Sequence, residues 1–186
     1  MKKNIVDYAF LLVVAGIIVA FDQWTKALVR TNIEFGQAWN PWPWLMPYAR
    51  IVHWQNTGAA FGMLQRFGNV FTILAILVSL VILYYFPHVP RAEWHLRIAM
   101  GMQLGGALGN LVDRLTQGFV TDFISVGNFA VFNVADASIS VGVAVLIIGV
   151  WIKERQQKKA ALLTASDQQS SSYNEQAIDL KDHGGE

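Results

Sequence analysis

The chain contains no cysteine among its 186 residues. This absence excludes disulfide bonds, thiolate metal ligands and a cysteine nucleophile. Charged residues are also scarce, at 15%, and the formal net charge is only +1. No basic stripe is interleaved with stacking aromatic residues, so the sequence does not favour binding to nucleic acid. The four histidines are scattered and form no ligand cluster, so we expect neither a metal nor another cofactor.

Apolar residues are frequent where charged residues are scarce. They make up 54% of the chain, and the mean hydropathy is +0.36. A soluble domain of this size carries fewer apolar and more charged residues, so the sequence predicts an integral membrane protein. The start, "MKKNIVDYAFLLVVAGIIVAF", has the basic and apolar parts of a signal peptide. Because no small-x-small cleavage site follows, we interpret it as a retained first span.

Four apolar segments approach the roughly 17–25 residues that a helix needs to cross the hydrocarbon core. The sequence therefore predicts an all-α membrane protein with four transmembrane helices, at about 5–29, 70–86, 96–112 and 136–152. The third span has glycines at four-residue spacing, which indicates close helix packing. The stretch "YARIVHWQN" alternates in polarity, so we expect a small β-rich or amphipathic region on the outer face between spans one and two.

The distribution of Lys and Arg predicts the orientation. With four crossings, most of them fall on one side, which the positive-inside rule assigns to the cytoplasm together with both termini. Residues 30–69 and 115–133 then lie outside, and the tryptophans of the first segment suit the headgroup level. We expect residues 1–159 to form the four-span membrane domain. The polar stretch 160–186 is expected to be a disordered cytoplasmic tail.

Polar residues collect at the outer ends of the predicted spans. Asp22 and Lys26 are one helical turn apart, so we interpret them as an ion pair that makes their burial tolerable. Asn110, Asp113 and Arg114 share a face of the third span. We interpret these three residues as the scaffold of a site, in which Arg114 can both pair with Asp113 and reach lipid phosphate or a backbone carbonyl.

Asn133 and Asp136 have the spacing of a capping box in "NVAD", which accounts for Asp136 without any catalytic role. A cap does not account for Asp122, which lies in the apolar stretch "FVTDFI". Our hypothesis is that the two acids meet, so that Asp136 activates water while a protonated Asp122 protonates the substrate. Asn56 completes the outer polar cluster. A proton-coupled membrane carrier and a structural tetraspan subunit remain open alternatives.

Five motifs follow one another along the predicted spans: "FDQWTK", "QNTGAAFG", "GGALGNLVDR", "GFVTDF" and "FNVADASI". Together they resemble the motif set of the bacterial lipoprotein signal peptidases, also called signal peptidase II or prolipoprotein signal peptidase. The resemblance covers about residues 22–142. It implies an aspartic endopeptidase of the bacterial cytoplasmic (inner) membrane, with its active site near the outer face. Such an enzyme removes the signal peptide from diacylglyceryl-modified prolipoproteins, cutting on the N-terminal side of the lipidated cysteine.

The resemblance also implies which residues act. The catalytic pair falls on Asp122 and Asp136, and the supporting or substrate-binding residues fall on Asp22, Lys26, Asn56, Asn110, Asp113, Arg114 and Asn133. The implied partners are diacylated prolipoproteins, membrane lipids and inhibitors of the globomycin type, and we expect a monomer. The segment between the two acids, 123–135, is shorter than in many members, which leaves open a larger contribution from Asp113.

Overall fold

The computed structural model describes residues 2–58 and 68–182. Most of the described chain is helical, and the remaining regular structure is three short strands. The helices are α1 (Lys2–Asn32), α2 (Gly68–Tyr85), α3 (Trp94–Gln117) and α4 (Val134–Asp182), and the strands are β1 (Ala38–Trp39), β2 (Ala49–Asn56) and β3 (Val120–Val126). The motif "QNTGAAFG" continues past residue 58, so its second half lies outside the described residues.

Three of the helices are long and apolar enough to cross a membrane. The segments concerned are Ile5–Asn32, Gly68–His88 and Val134–Leu163. They contain the predicted first, second and fourth spans and support an integral membrane protein. Helix α3 has 24 residues and a length of about 36 Å, which is sufficient to cross. Because of its polar residues, α3 is less apolar than these three segments. A fourth membrane crossing by α3 therefore stays a prediction.

Helix α3 is the most buried of the helices, and its glycines explain how its neighbours come so close. A Cβ atom added at Gly101 would lie 2.6 Å from Val14 of α1, and one at Gly105 would lie 2.7 Å from Ile18. On another face, a Cβ at Gly106 would lie 2.7 Å from Ile139 of α4. The predicted packing role of the glycine stripe is confirmed. Polar side chains of α3 are therefore shielded by other helices.

The end of α3 that lies farther from the strands has an apolar core and one buried ion pair. Arg97 donates to Asp7 of α1 at 2.7 Å, and its guanidinium lies 4.3 Å from the centre of the Phe86 ring. The pair is almost fully buried, and it joins α1 to α3 at this end. The apolar residues of the core are Leu11, Ala15, Ile82, Phe86, Met100 and Leu104.

The three strands form one antiparallel sheet in the order β1-β2-β3. Strands β1 and β2 lie between α1 and α2, as the sequence predicts. Strand β3 was not predicted: it lies between α3 and α4, and it carries Asp122. Its burial explains the omission, because nearly every residue of "VTDFISV" is covered and the polarity does not alternate. On its free edge, β3 exchanges backbone hydrogen bonds with Phe132, just before α4.

Contacts between residues divide the chain into two compact units, Met1–Leu146 and Ile147–Glu186. Within the second unit, Lys158 and Glu154 form an ion pair at 2.8 Å, and the Arg155 guanidinium lies 4.0 Å from the centre of the Trp151 ring. Helix α4 continues to Asp182, through the stretch for which the sequence predicts a disordered tail. Good helix formers such as those in "KKAALL" favour this continuation. The boundary at residue 159 stays a prediction, and residues 183–186 lie outside the described residues.

Candidate active site

The two acids lie on different elements and open onto one pocket. Asp122 comes from the middle of β3, and Asp136 from the first turn of α4. The pocket has a volume of about 600 Å³ and lies within the first unit. Besides the acids, its polar lining comes from Asn56, Asn110, Arg114 and Ser140. Gly58 and apolar side chains cover the rest of its wall, and the apolar residues are Phe71, Val120, Phe129, Ala130, Val131, Phe132, Ala137, Ile139 and Val141.

Asn133 connects the two carboxyl groups. Its side-chain amide donates to Asp122 Oδ1 at 2.7 Å, and its backbone N–H donates to Asp136 Oδ2 at 3.3 Å. The backbone N–H of Asp136 donates in return to Asn133 Oδ1 at 2.9 Å, so the predicted capping box is confirmed. The cap and the carboxyl pair are therefore not alternatives, because one asparagine serves both.

A second amide holds Asp122 from the side of strand β2. Asn56 Nδ2 donates to Asp122 Oδ2 at 2.9 Å. The backbone N–H of Gly58 donates to Asn56 Oδ1 at 2.9 Å, which turns the NH₂ group of Asn56 toward the acid. Asp122 thus receives one amide donor on each oxygen.

Asn110, on helix α3, holds Asp136 through an amide hydrogen bond. Its Nδ2 donates to Asp136 Oδ1 at 2.7 Å. Its Oδ1 accepts from Lys26 Nζ at 2.9 Å and from Asn133 Nδ2 at 3.1 Å. With its oxygen occupied by two donors, the amide can present only NH₂ to the acid. Lys26 therefore fixes how Asn110 meets Asp136.

Lys26 belongs to a buried ion group behind the pocket. It is 0% exposed and lies 2.7 Å from Asp22 Oδ2 and 3.1 Å from Asp113 Oδ2. The other oxygen of Asp22 accepts the backbone N–H of Ala135 at 2.9 Å, and Asp113 accepts that of Thr121 at 3.0 Å. Each acid of the group thus anchors the backbone next to one of the two pocket acids. The predicted ion pair of Asp22 and Lys26 is confirmed.

Arg114 does not occupy its predicted place beside Asp113. The Asp113 carboxylate is bound by Lys26, and it does not line the pocket. Consecutive helical residues point about 100° apart, so Arg114 faces the pocket instead. Its guanidinium lies 5.7 Å from the centre of the Phe71 ring and has no hydrogen bond within the described residues. The predicted pair of Asp113 and Arg114 is therefore wrong, and the guanidinium can act on a ligand.

Two further polar residues contact the group, and sequence reasoning missed both. Gln23 Nε2 donates to Gly109 O at 3.0 Å and to Asp113 Oδ1 at 3.1 Å. The Arg30 guanidinium lies 3.6 Å from Asp113 Oδ1 and donates to Thr121 Oγ1 at 3.0 Å. A usable signal was present for Arg30, because it follows Lys26 by one helical turn and so lies on the same face of α1.

Burial makes Asp122 a weaker acid than an ordinary carboxyl group. The side chain is 1% exposed, and the loss of solvent, together with the charge of Asp136, raises the pKa of Asp122 to about 7. The amides of Asn56 and Asn133 favour the charged form and oppose this increase in the pKa. Asp122 can therefore hold or release a proton near neutral pH, which is the requirement for a general acid or base.

Apolar helices around a pocket with two carboxyl groups define a class, the membrane-embedded peptidases of the aspartic type. A particular family of this kind matches the chain: residues 14–152 fit the family model of signal peptidase (SPase) II. The chain belongs to the signal peptidase II family, and the resemblance seen in its motifs is confirmed.

Curated relatives agree with this assignment. A protein of Shouchella clausii named lipoprotein signal peptidase is 38% identical over 149 residues, which cover 80% of this chain and 97% of that protein. One of the same name from Mesorhizobium japonicum is 38% identical over 159 residues, covering 83% and 90%. One from Acinetobacter baumannii is 37% identical over 149 residues, covering 76% and 82%.

Two solved structures share the fold. One, described as a bacterial membrane enzyme at 2.3 Å resolution, has a TM-score of 0.71 and 30% identity, covering 77% of this chain and 88% of its own. Another, described as a bacterial membrane enzyme at 1.9 Å resolution, has a TM-score of 0.67 and 31% identity, covering 75% and 91%.

Proposed function

We propose that this chain removes the signal peptide from diacylglyceryl-modified prolipoproteins and cuts on the N-terminal side of the lipidated cysteine. Membership of the signal peptidase II family and the names of its relatives support the reaction. One observation carries the assignment to residues: Asp122 and Asp136 line the same pocket and are joined through Asn133. The carrier and the structural tetraspan subunit are not favoured by these comparisons.

The proposed chemistry needs two carboxyl groups in different protonation states. Asp136, at the positive end of α4, acts as the carboxylate that takes a proton from water. The water oxygen then bonds to the scissile carbonyl carbon, while the protonated Asp122 hydrogen-bonds the carbonyl oxygen. Collapse of the tetrahedral intermediate breaks the C–N bond, and the leaving amine receives a proton from the pair. No metal or nucleophilic side chain takes part.

The other predicted residues have positioning roles in this proposal. Asn56, Asn110 and Asn133 direct NH₂ groups at the acids and leave lone pairs for water and substrate. The ion group of Lys26, Asp22 and Asp113 holds β3 and the start of α4 in place. Arg114 is the proposed exception, since its guanidinium faces the pocket and would bind a substrate carbonyl.

The proposed setting is the bacterial cytoplasmic membrane, crossed four times, with both termini in the cytoplasm and the pocket near the outer face. The acyl chains of the substrate stay in the bilayer, so the scissile bond reaches the depth proposed for the two acids. The apolar wall of the pocket suits a lipidated segment. Membrane lipids are further partners, globomycin-type peptides would occupy the same pocket, and the enzyme would work as a monomer.

The test is cleavage of a diacylated prolipoprotein by the detergent-purified full chain, followed by gel shift. We expect Asp122→Asn and Asp136→Asn each to lower the rate by about 1,000-fold or more, because the pair acts as a unit. Glu34→Gln is the control, since it removes an exposed carboxyl group outside the pocket and should cleave at the normal rate. Cleavage by both Asp→Asn variants, with normal thermal unfolding, would contradict the proposal.

A further inference from the structure

A second cavity lies at the end of the β2–β3 pair. It has a volume of about 160 Å³ and shares no lining residue with the pocket of the two acids. This is well below the ~300–1,000 Å³ of a drug-sized site, so it suits one small group. We call it the sheet-end cavity, and its lining residues are Met46, Pro47, Tyr48, Ala49, Arg50, Ser125, Gly127 and Asn128.

Three side chains of the sheet-end cavity carry hydrogen-bond donors with no partner in the described part of the chain. Arg50 and Ser125 are directly opposite each other in the antiparallel ladder, so their side chains lie on one face. Asn128 follows just after the turn at Gly127. The residue Ser125 is only 5% exposed, and its hydroxyl is reached from the cavity that it lines. A ligand in this cavity would offer acceptors to all three side chains.

The charge of the sheet-end cavity indicates what that ligand is. Arg50 is the only Lys or Arg between residues 31 and 65, and the segment 118–152 has none. No Asp or Glu lines the cavity. A guanidinium, a hydroxyl and an amide directed at one small space match an oxyanion with several acceptor oxygens, such as phosphate.

The surroundings of the cavity indicate where the phosphate comes from. Met46 and Tyr48, which line it, and the nearby Trp42 and Trp44 all have exposed side chains; Trp44 is 69% exposed. Exposed aromatic side chains of this density are typical of the headgroup level of a bilayer. We propose that the sheet-end cavity binds the phosphate of a membrane phospholipid and thereby fixes the sheet against the outer leaflet. The proposal rests on the outer placement given under the proposed function.

The test is native mass spectrometry of the delipidated full chain titrated with short-chain phosphatidylglycerol. We expect one retained lipid in the unmodified protein and an affinity about tenfold lower in Arg50→Gln, which loses a charged hydrogen bond. Arg155→Gln is the matched control, because it removes an arginine that stacks on Trp151 in the second unit, and its affinity should not change. Ser125→Ala should also weaken lipid binding. If the Ser125→Ala variant does not fold, Asn128→Ala is measured in its place and should weaken binding in the same way.

Two further binding measurements distinguish a phospholipid from free phosphate as the source of the bound phosphate group. Diacylglycerol of the same chain length, which lacks phosphate, should not bind; equal binding by it would overturn the proposal. Inorganic phosphate at millimolar concentration should not displace the lipid, and displacement with the same dependence on Arg50 would assign the cavity to free phosphate and overturn the lipid source. Asp122→Asn should bind the lipid normally. Because lipid binding and cleavage are measured separately, a failure of the peptidase assignment can be distinguished from a failure of the lipid-binding proposal.

Discussion

At the scale of single residues, Asn133 carries more of the site than its type suggests. Its side chain contacts Asp122 and Asn110, and its backbone N–H contacts Asp136. Because the same residue caps α4, the position of the helix and the spacing of the acids are set together. The protonation of the pair is then adjusted by the remaining amide donors, Asn56 and Asn110.

The donor from Asn56 predicts a shift in the pH profile. Asn56→Ala removes a hydrogen bond that favours the charged form of Asp122, so the pKa of that carboxyl rises from its value of about 7. The proposed acid then keeps its proton to higher pH, and the alkaline limb of kcat/KM moves upward by about half a pH unit. The measurement is the cleavage rate between pH 5.5 and 9. Gln55→Ala, an exposed neighbour, should leave the limb in place, and a shift toward acid in Asn56→Ala would contradict the role of Asn56.

The sequence indicated the candidate residues but not all of their contacts. Polar residues at the ends of apolar spans are costly, which directs attention to Asp22, Lys26 and Asp122 without any structure. The pairing of Asp113 was mistaken because spacing within α3 cannot show that a lysine of α1 reaches the same carboxylate. Gln23 was missed for the same reason, since two of its partners, Gly109 and Asp113, come from a different helix.

At the scale of elements, glycines let α3 and α4 approach closely, and Gly106 is the one that contacts the start of α4 most tightly. A Cβ at Gly106 would collide with the carbonyl oxygen of Ala135 and lie 2.6 Å from Ser138 Oγ. We expect Gly106→Ala to lower stability by about 1–3 kcal/mol and to reduce cleavage, because it displaces the start of α4. The measurement is thermal unfolding in detergent alongside the cleavage rate. Gly16→Ala adds the same methyl group where nothing lies within 4 Å, so a similar loss there would contradict this explanation.

Hydropathy predicted α1, α2 and α4 because their apolar runs have the length that a membrane requires. It could not predict the pairing of β3, since that strand is covered on both faces and owes its conformation to β2 and to Phe132. Strand β3, which positions Asp122, is thus the element that is hardest to predict from the sequence. Its extended conformation is determined by tertiary contacts rather than by local β-propensity.

At the scale of the whole molecule, labelling can test whether α3 crosses the membrane. The chain has no cysteine, so single cysteines can be introduced at exposed positions near the two ends of α3, as Pro90→Cys before it and Thr116→Cys in its last turn. A maleimide that cannot cross membranes should label only Thr116→Cys in spheroplasts, and both variants after lysis. Labelling of both before lysis would contradict a crossing by α3.

The polar C-terminal stretch gives a simpler prediction. A chain that ends at Lys159 should cleave prolipoprotein at a rate within about twofold of the full chain, because no residue of the pocket lies beyond Val141. Rate and unfolding temperature, measured side by side, check this. Loss of activity in a normally folded truncated chain would show that the membrane domain extends past residue 159.

The ion pairs between α1 and α3 have a consequence for biogenesis. Arg97 meets Asp7 near one end of the two helices, and Asp113 meets Lys26 near the other. If α3 crosses the membrane as predicted, Arg97 and Asp113 would lack these partners without α1, and unpaired charges in the hydrocarbon are costly. Because α1 leaves the ribosome before α3, we predict that α1 is in place to pair with α3 as α3 enters the bilayer. The order of these two helices along the chain would then also be their order of assembly.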